Sequence, residues 1–99
     1  MKIDKIFNVK KKVIVITGGC GLLGKTISES LNTNGAQVII IDKNSQKINQ
    51  DIDFYLCDLR SVKEIKETKE KILRKYGTID VLINNHQAKP SGFTKLDIE

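Results

Sequence analysis

Val13-Ile14-Val15-Ile16-Thr17-Gly18-Gly19-Cys20-Gly21-Leu22-Leu23-Gly24-Lys25-Thr26 is the stretch whose reading decides the fold. Its first five residues are β-branched and do not alternate with polar ones. That is the pattern of a parallel strand buried on both faces. Glycines follow, and then an apolar-periodic run from Leu22 to Leu31. Strand, glycine turn and helix are therefore predicted in that order. Glycine permits positive φ in a tight turn and leaves no side chain between the backbone and an incoming anion. The helix then opens with unpaired N–H groups and the positive end of its dipole. The turn is expected to hold the pyrophosphate of a dinucleotide.

Outward from this turn, the same alternation repeats. Helix residues run to about Asn34, with Leu23, Ile27 and Leu31 as the apolar stripe and Asn34-Gly35 as the stop. Small residues such as Gly24 at its start allow close approach to the first strand. Val38 to Ile41 is a second apolar strand, followed by Asp42. Lys43 to Asp53 has room only for a short helix anchored by Ile48 and Ile52. Phe54 to Cys57 is a third strand, followed by Asp58. Ser61-x-x-Glu64 is a capping box. It opens a helix with Val62, Ile65, Ile72, Leu73 and Tyr76 as the expected buried stripe and Gly77 as the end. Lys69 interrupts that stripe, leaving Thr68 and lysine methylenes over its middle. Val81 to Ile83 is the fourth strand and runs into Asn84-Asn85-His86. Residues 1–11 are a lead-in, and residues 92–99 read as the start of a further helix. Alternating strands and helices give an α/β fold with a parallel sheet. Right-handed crossovers give a Rossmann-like strand order of 3-2-1-4.

Length and composition narrow the function. With 99 residues the chain is one small domain at most. Hydrophobic content of 39% with 29% charged residues is that of an ordinary globular protein. No apolar run approaches the ~20 residues of a membrane span. The first residues lack the apolar centre of a secretory signal, so a cytoplasmic location is expected. Cys20 and Cys57 lie 37 residues apart, which is neither a metal nor a redox spacing. On this fold they would sit about 10 Å apart, too far to bridge. Free thiols suit a reducing compartment.

The net charge of +5 comes largely from Lys10-Lys11-Lys12 and from the helix at 61–76. That helix interleaves its signs at i,i+4, as in Lys63 with Glu67 and Glu70 with Arg74. Such spacing makes a solvated face. No aromatic residues alternate with the basic ones, so nucleic acid is not the expected partner.

Two phosphate motifs are written on the same residues. Gly19-Cys20-Gly21-Leu22-Leu23-Gly24 satisfies G-x-G-x-x-G. Extended through Lys25-Thr26, it also satisfies the phosphate loop of nucleoside triphosphatases. In that alternative Lys25 reaches the β/γ-phosphates, Thr26 holds Mg²⁺, and Asp42 or Asp58 serves as the second acid. Two features favour the dinucleotide. Asp42 lies 18 residues after Gly24 at the end of the neighbouring strand, where a carboxylate receives ribose hydroxyls. Asp58 and Asn84-Asn85 end two further strands on the same edge, where ligands of open α/β sheets bind.

A third feature is resemblance. Lys12-Val13 into Thr17-Gly18, then Gly21 and Gly24, Asp42, Asp58-Leu59 and Asp80-x-Leu82-Ile83-Asn84-Asn85 resemble the first part of a short-chain dehydrogenase/reductase. That family comprises NAD(P)-dependent oxidoreductases. The resemblance implies that Thr17, Gly18, Gly21, Leu22, Leu23 and Gly24 line the cofactor turn. It implies that Asp42 selects the ribose and that Asp58 and Leu59 sit by the adenine. It implies that Asn84 and Asn85 brace the fourth strand against the turn, with Thr17 as partner. The carboxylate at Asp42 and the lack of arginine in the turn favour NAD over NADP.

Two departures stand out. The spacing TGxxGxxG is commoner in the branch of the family acting on nucleotide sugars, which suggests a sugar-derived alcohol. The Asn-Asn pair belongs to the other branch, and His86-Gln87 stands where Ala-Gly is usual.

The family's general acid/base is a tyrosine with a lysine four residues on, aided by a serine. Here Tyr55 is followed at that distance by Leu59, and Tyr76 by Asp80. No catalytic residue and no metal ligand is therefore assigned. The expectation is the N-terminal cofactor-binding part of an oxidoreductase, lacking strands 5–7 and inactive alone. Its fourth strand would be free to self-associate or to pair with a C-terminal half. A dinucleotide-binding module without catalysis is the remaining alternative.

Overall fold

The computed structural model describes residues 8–18, 21–44 and 51–85. The order is β1 (Val13–Thr17), α1 (Leu22–Thr33), β2 (Gln37–Asp42), β3 (Asp53–Leu56), α2 (Val62–Tyr76) and β4 (Val81–Asn84). All strand pairs are parallel, and the sheet order is β3-β2-β1-β4, as the sequence predicts. The predicted short helix after Lys43, and the segment from His86 onward, lie outside the described residues.

The uniformly apolar strands divide their side chains between two cores. Ile14 and Ile16 of β1 join Val38 and Ile40 of β2 on the face where Ile27 and Leu31 of α1 pack. Val13 and Val15 join Ile39 and Ile41 on the opposite face, with Ile72 of α2. This is the period-2 rule of a strand, and it explains why β1 and β2 show no polar alternation. Both of their faces are covered.

The helices differ from their predicted stripes. Gly24 and Ser28 are the buried residues of α1. They let its backbone approach the sheet, while Leu23 is exposed instead of packed. The Ser28 hydroxyl is satisfied within the helix by donating to the Lys25 carbonyl at 3.0 Å. On α2 only Thr68 and Ile72 are buried. Val62, Ile65 and Leu73 are exposed, contrary to expectation. The cause is geometric. The connection from β3 to β4 passes over β2 and β1, and α2 meets that face through Ile72 and Tyr76. No second helix among the described residues closes its flanks. An apolar hollow of about 400 Å³ remains beside it, bounded by Val15, Leu59, Ile65, Ile72 and Leu82. Gly77 ends α2 in the left-handed conformation (φ 81°), its N–H donating to the Leu73 carbonyl.

Two contacts tie the far ends of these elements. Asp80 Oδ2 accepts from the Val13 N–H at 2.7 Å, and the Asp80 N–H donates to the Val13 carbonyl at 2.9 Å. These fix the start of β4 beside the start of β1. On the other side of the sheet, Asp53 at the start of β3 accepts from Lys75 Nζ at 2.8 Å and from the Tyr76 hydroxyl. Partial burial raises the Asp53 carboxyl, but the Lys75 and Tyr76 hydrogen bonds outweigh it and hold the group below its ordinary value. Burial and then the Asp53 carboxylate push the Tyr76 phenol up.

A lowered carboxyl contributes stability that is present above its unfolded value near 3.8 and lost as pH falls through the folded one. Asp53→Asn should therefore melt below the parent at pH 7. The gap between the two should close as the pH is taken below 3.8. Parallel melting curves across that range check this. A gap independent of pH would remove the ionised Asp53 from the contact.

Candidate cofactor-binding site

The glycine turn is held by bonds to both neighbouring strands. Gly18 takes φ 67°, a conformation that costs a side-chain-bearing residue, and its N–H donates to the Ile41 carbonyl of β2 at 2.8 Å. From the other side, the Asn85 amide donates to the Gly18 carbonyl at 3.1 Å. The Asn85 backbone N–H donates to the Thr17 carbonyl, also at 3.1 Å. The Thr17 hydroxyl donates to Asn84 Oδ1 at 2.7 Å. Thr17 and Asn84 are register partners in the sheet, so their side chains leave the same face together.

Gly21 caps α1 in an extended conformation with no side-chain hydrogen bond, and the first turn carries no acid. A Cβ built on Gly21 would meet nothing within 4 Å. Glycine here leaves an open cradle, and packing does not demand it. Leu22 and Leu23, 85% and 62% exposed, flank the mouth. Gly24 is buried against the sheet. The positive helix end, the open cradle and the lack of a competing cap together suit a phosphate.

Asp42 immediately follows Ile41, whose carbonyl anchors the turn. Strand parity puts Asp42 with Val38 and Ile40, on the α1 side of the sheet. Its Oδ1 accepts from the Asn44 N–H at 3.2 Å, which fixes the start of the loop after β2. Leu59 borders the apolar hollow and Asp58 precedes it. Arg60 clamps the Asp58 carboxylate, and those hydrogen bonds hold the carboxyl below the usual carboxylate range. The capping box forms only in part. Ser61 Oγ accepts from the Glu64 N–H at 3.2 Å, but Glu64 Oε1 reaches past the cap to the Asp58 N–H at 3.1 Å. Sequence reasoning missed the Arg60 clamp and this redirection. The Asp58-x-Arg60 spacing was the available signal.

Lys25 is exposed, and the Thr26 hydroxyl donates back to the Leu22 carbonyl at 3.0 Å. Among the described residues no group of three His, Cys, Asp or Glu side chains could hold a metal ion, and no helix is long and apolar enough to cross a membrane. Cys57 is a buried free thiol, whereas Cys20 and His86 lie outside the described residues.

The family model described as short chain dehydrogenase matches residues 12–98, from the first strand past the Asn-Asn pair. The chain belongs to the short-chain dehydrogenase family. That family binds nicotinamide dinucleotides. One relative is Short-chain dehydrogenase reductase 3a of Arabidopsis thaliana, 29% identical, with 89% of this chain matched to 38% of that protein. Another is sorbitol-6-phosphate 2-dehydrogenase of Klebsiella pneumoniae, 33% identical, with 79% of this chain matched to 30% of that protein. Among solved structures, a short-chain dehydrogenase of Leptospira borgpetersenii with bound NAD+ superposes with a TM-score of 0.71 at 25% identity. That match covers 90% of this chain and 38% of the other. The chain thus spans between 30% and 38% of the length of these short-chain dehydrogenases. The triphosphatase reading of residues 19–26 finds no support in these likenesses.

Proposed function

We propose that this chain is the N-terminal, NAD-binding portion of a short-chain dehydrogenase, with residues 1–99 forming the dinucleotide half of its Rossmann domain. The observation that carries this is the uncapped helix start at Gly21, with an open cradle in front of it and Asp42 on the same side of the sheet. Gly18, Gly21, Leu22, Leu23 and Gly24 would bring backbone and N–H groups to the pyrophosphate. Asp42 would accept from the adenosine ribose hydroxyls and repel a 2′-phosphate, favouring NAD over NADP. Asp58 and Leu59 would receive the adenine. Thr17, Asn84 and Asn85 would keep the turn in register. When bound, the nicotinamide supplies the hydride-transferring carbon of an oxidoreductase.

The substrate class proposed is an alcohol or carbonyl compound, sugar-derived by analogy with the Klebsiella sorbitol-6-phosphate 2-dehydrogenase. Val81 and Leu82 of β4 are exposed. Their exposure supports pairing of β4 with a further strand, from the rest of an enzyme of its relatives' length or from another copy. A buried free thiol at Cys57 agrees with the reducing cytoplasm as its location.

Calorimetric titration with NAD+ and NADP+ tests the proposal. The parent chain should prefer NAD+. Asp42→Ala should lose about tenfold or more in NAD+ affinity, the worth of a hydrogen bond to a charged group. It should also narrow the gap to NADP+. Equal NAD+ affinity in parent and variant would remove Asp42 from the site.

A further inference from the structure

The apolar hollow beside α2 carries one charge, and that charge has no partner. The hollow measures about 400 Å³, a size that small-molecule sites share, and it lies on the α2 side of the sheet. Val15 and Ile41 line it from the sheet, Ile65 and Ile72 from α2, and Leu82 from β4. Thr17 also borders it, but the Thr17 hydroxyl is already given to Asn84. Among the described residues, Lys69 is the one charged side chain on its border.

Lys69 differs from every other cation of α2. Lys63, Lys66, Lys71 and Arg74 each have a glutamate four places away, and Lys75 holds Asp53. The residues three and four places from Lys69 are Ile65, Lys66, Ile72 and Leu73, none of them acidic. Lys69 enters no hydrogen bond or ion pair among the described residues. A lysine so placed lays its methylenes along the apolar wall and keeps its ammonium at the water boundary. Apolar depth with a lone cation at the rim is complementary to an amphiphilic anion. The tail leaves water in the hollow, and the head meets the ammonium.

We propose that the hollow binds a medium-chain carboxylate, its hydrocarbon tail between Ile65, Ile72 and Leu82 and its head group at Lys69 Nζ. The site lies across the sheet from Asp42 and does not depend on the dinucleotide reading.

Calorimetric titration of the chain with decanoate, octanoate and decanol tests this. A buried methylene is worth about fourfold in affinity, so decanoate should bind about tenfold or more tighter than octanoate. Decanoate should exceed decanol by about three- to fivefold, the upper range for an exposed ion pair. Lys69→Gln should erase that margin while leaving the affinity for decanol unchanged. Lys69→Arg should keep the margin. So should Lys71→Gln, whose position lies on the opposite flank of α2. The inference is overturned if the parent takes up no decanoate, if decanol matches decanoate, or if Lys69→Gln keeps the parent's margin. Two rival occupants are read in the same experiment. A second copy seated over the hollow would make decanoate uptake fall as the chain associates with rising concentration, followed by sedimentation. A dinucleotide reaching the hollow past Leu59 would make NAD+ displace decanoate. Either result also overturns the inference.

Discussion

Gly21→Asp should abolish dinucleotide binding while leaving the fold as stable as before, or slightly more so. The two effects have opposite signs because the position has two roles. As the cap of α1, Gly21 contributes no side-chain bond. Aspartate is among the best residues there, since its carboxylate accepts from the first-turn N–H groups, and the gain over glycine is a few tenths of a kcal/mol. No clash offsets that gain, because a Cβ at Gly21 meets only open space. The same carboxylate would stand where the proposed pyrophosphate would lie. Two unit charges about 4 Å apart repel by about 4 kcal/mol at an effective dielectric of 20, close to three decades in affinity. Thermal melting and NAD+ titration of the same preparation check both halves. A variant that binds NAD+ as the parent does would place the ligand elsewhere.

The largest loss of stability should come from Ile72→Ala. Ile72 is fully buried, and it is the large apolar side chain by which α2 grips the sheet at Val13, Val15, Ile39 and Ile41. Truncating such a residue costs about 2–5 kcal/mol. A small domain holds only about 5–15 kcal/mol in all, and each kcal/mol moves the melting point by about 4–8 °C at this size. Val62→Ala, two-thirds exposed on the same helix, should change stability by no more than about 0.5 kcal/mol. Denaturant unfolding of both variants is the measurement. Equal effects would mean that α2 is held along its whole apolar stripe and not at one point.

That contrast also marks where sequence patterns stopped being informative. Strand positions were legible because burial on both faces forces unbroken β-branched runs such as Val13–Thr17. The strand order followed from crossover handedness. Helix faces were harder. Val62, Ile65 and Leu73 recur at helical spacing, but how much of a stripe is covered depends on neighbours that spacing does not reveal. On α1 the buried positions are Gly24 and Ser28, small residues that hydropathy does not flag. The Asn84 side chain accepts from the Thr17 hydroxyl and the Asn85 amide donates to the Gly18 carbonyl, contacts that hydropathy patterns alone do not specify. The Asp80 grip on Val13 and the Arg60 fork depend on loop conformation, and a short polar string encodes that only weakly.

The glycine bend shares its bonds with the sheet's outermost described strand as well as with its inner one. Asn85 donates to Thr17 and Gly18 at one end of β4, and Asp80 receives Val13 at the other. Occupancy of the bend and attachment of that strand are therefore linked quantities. A ligand that needs the bend well formed must tighten the strand by the same factor by which the strand's attachment favours the ligand. On the dinucleotide reading proposed above, anything that zips onto β4, or peels it away, would act as an effector of that site without touching it.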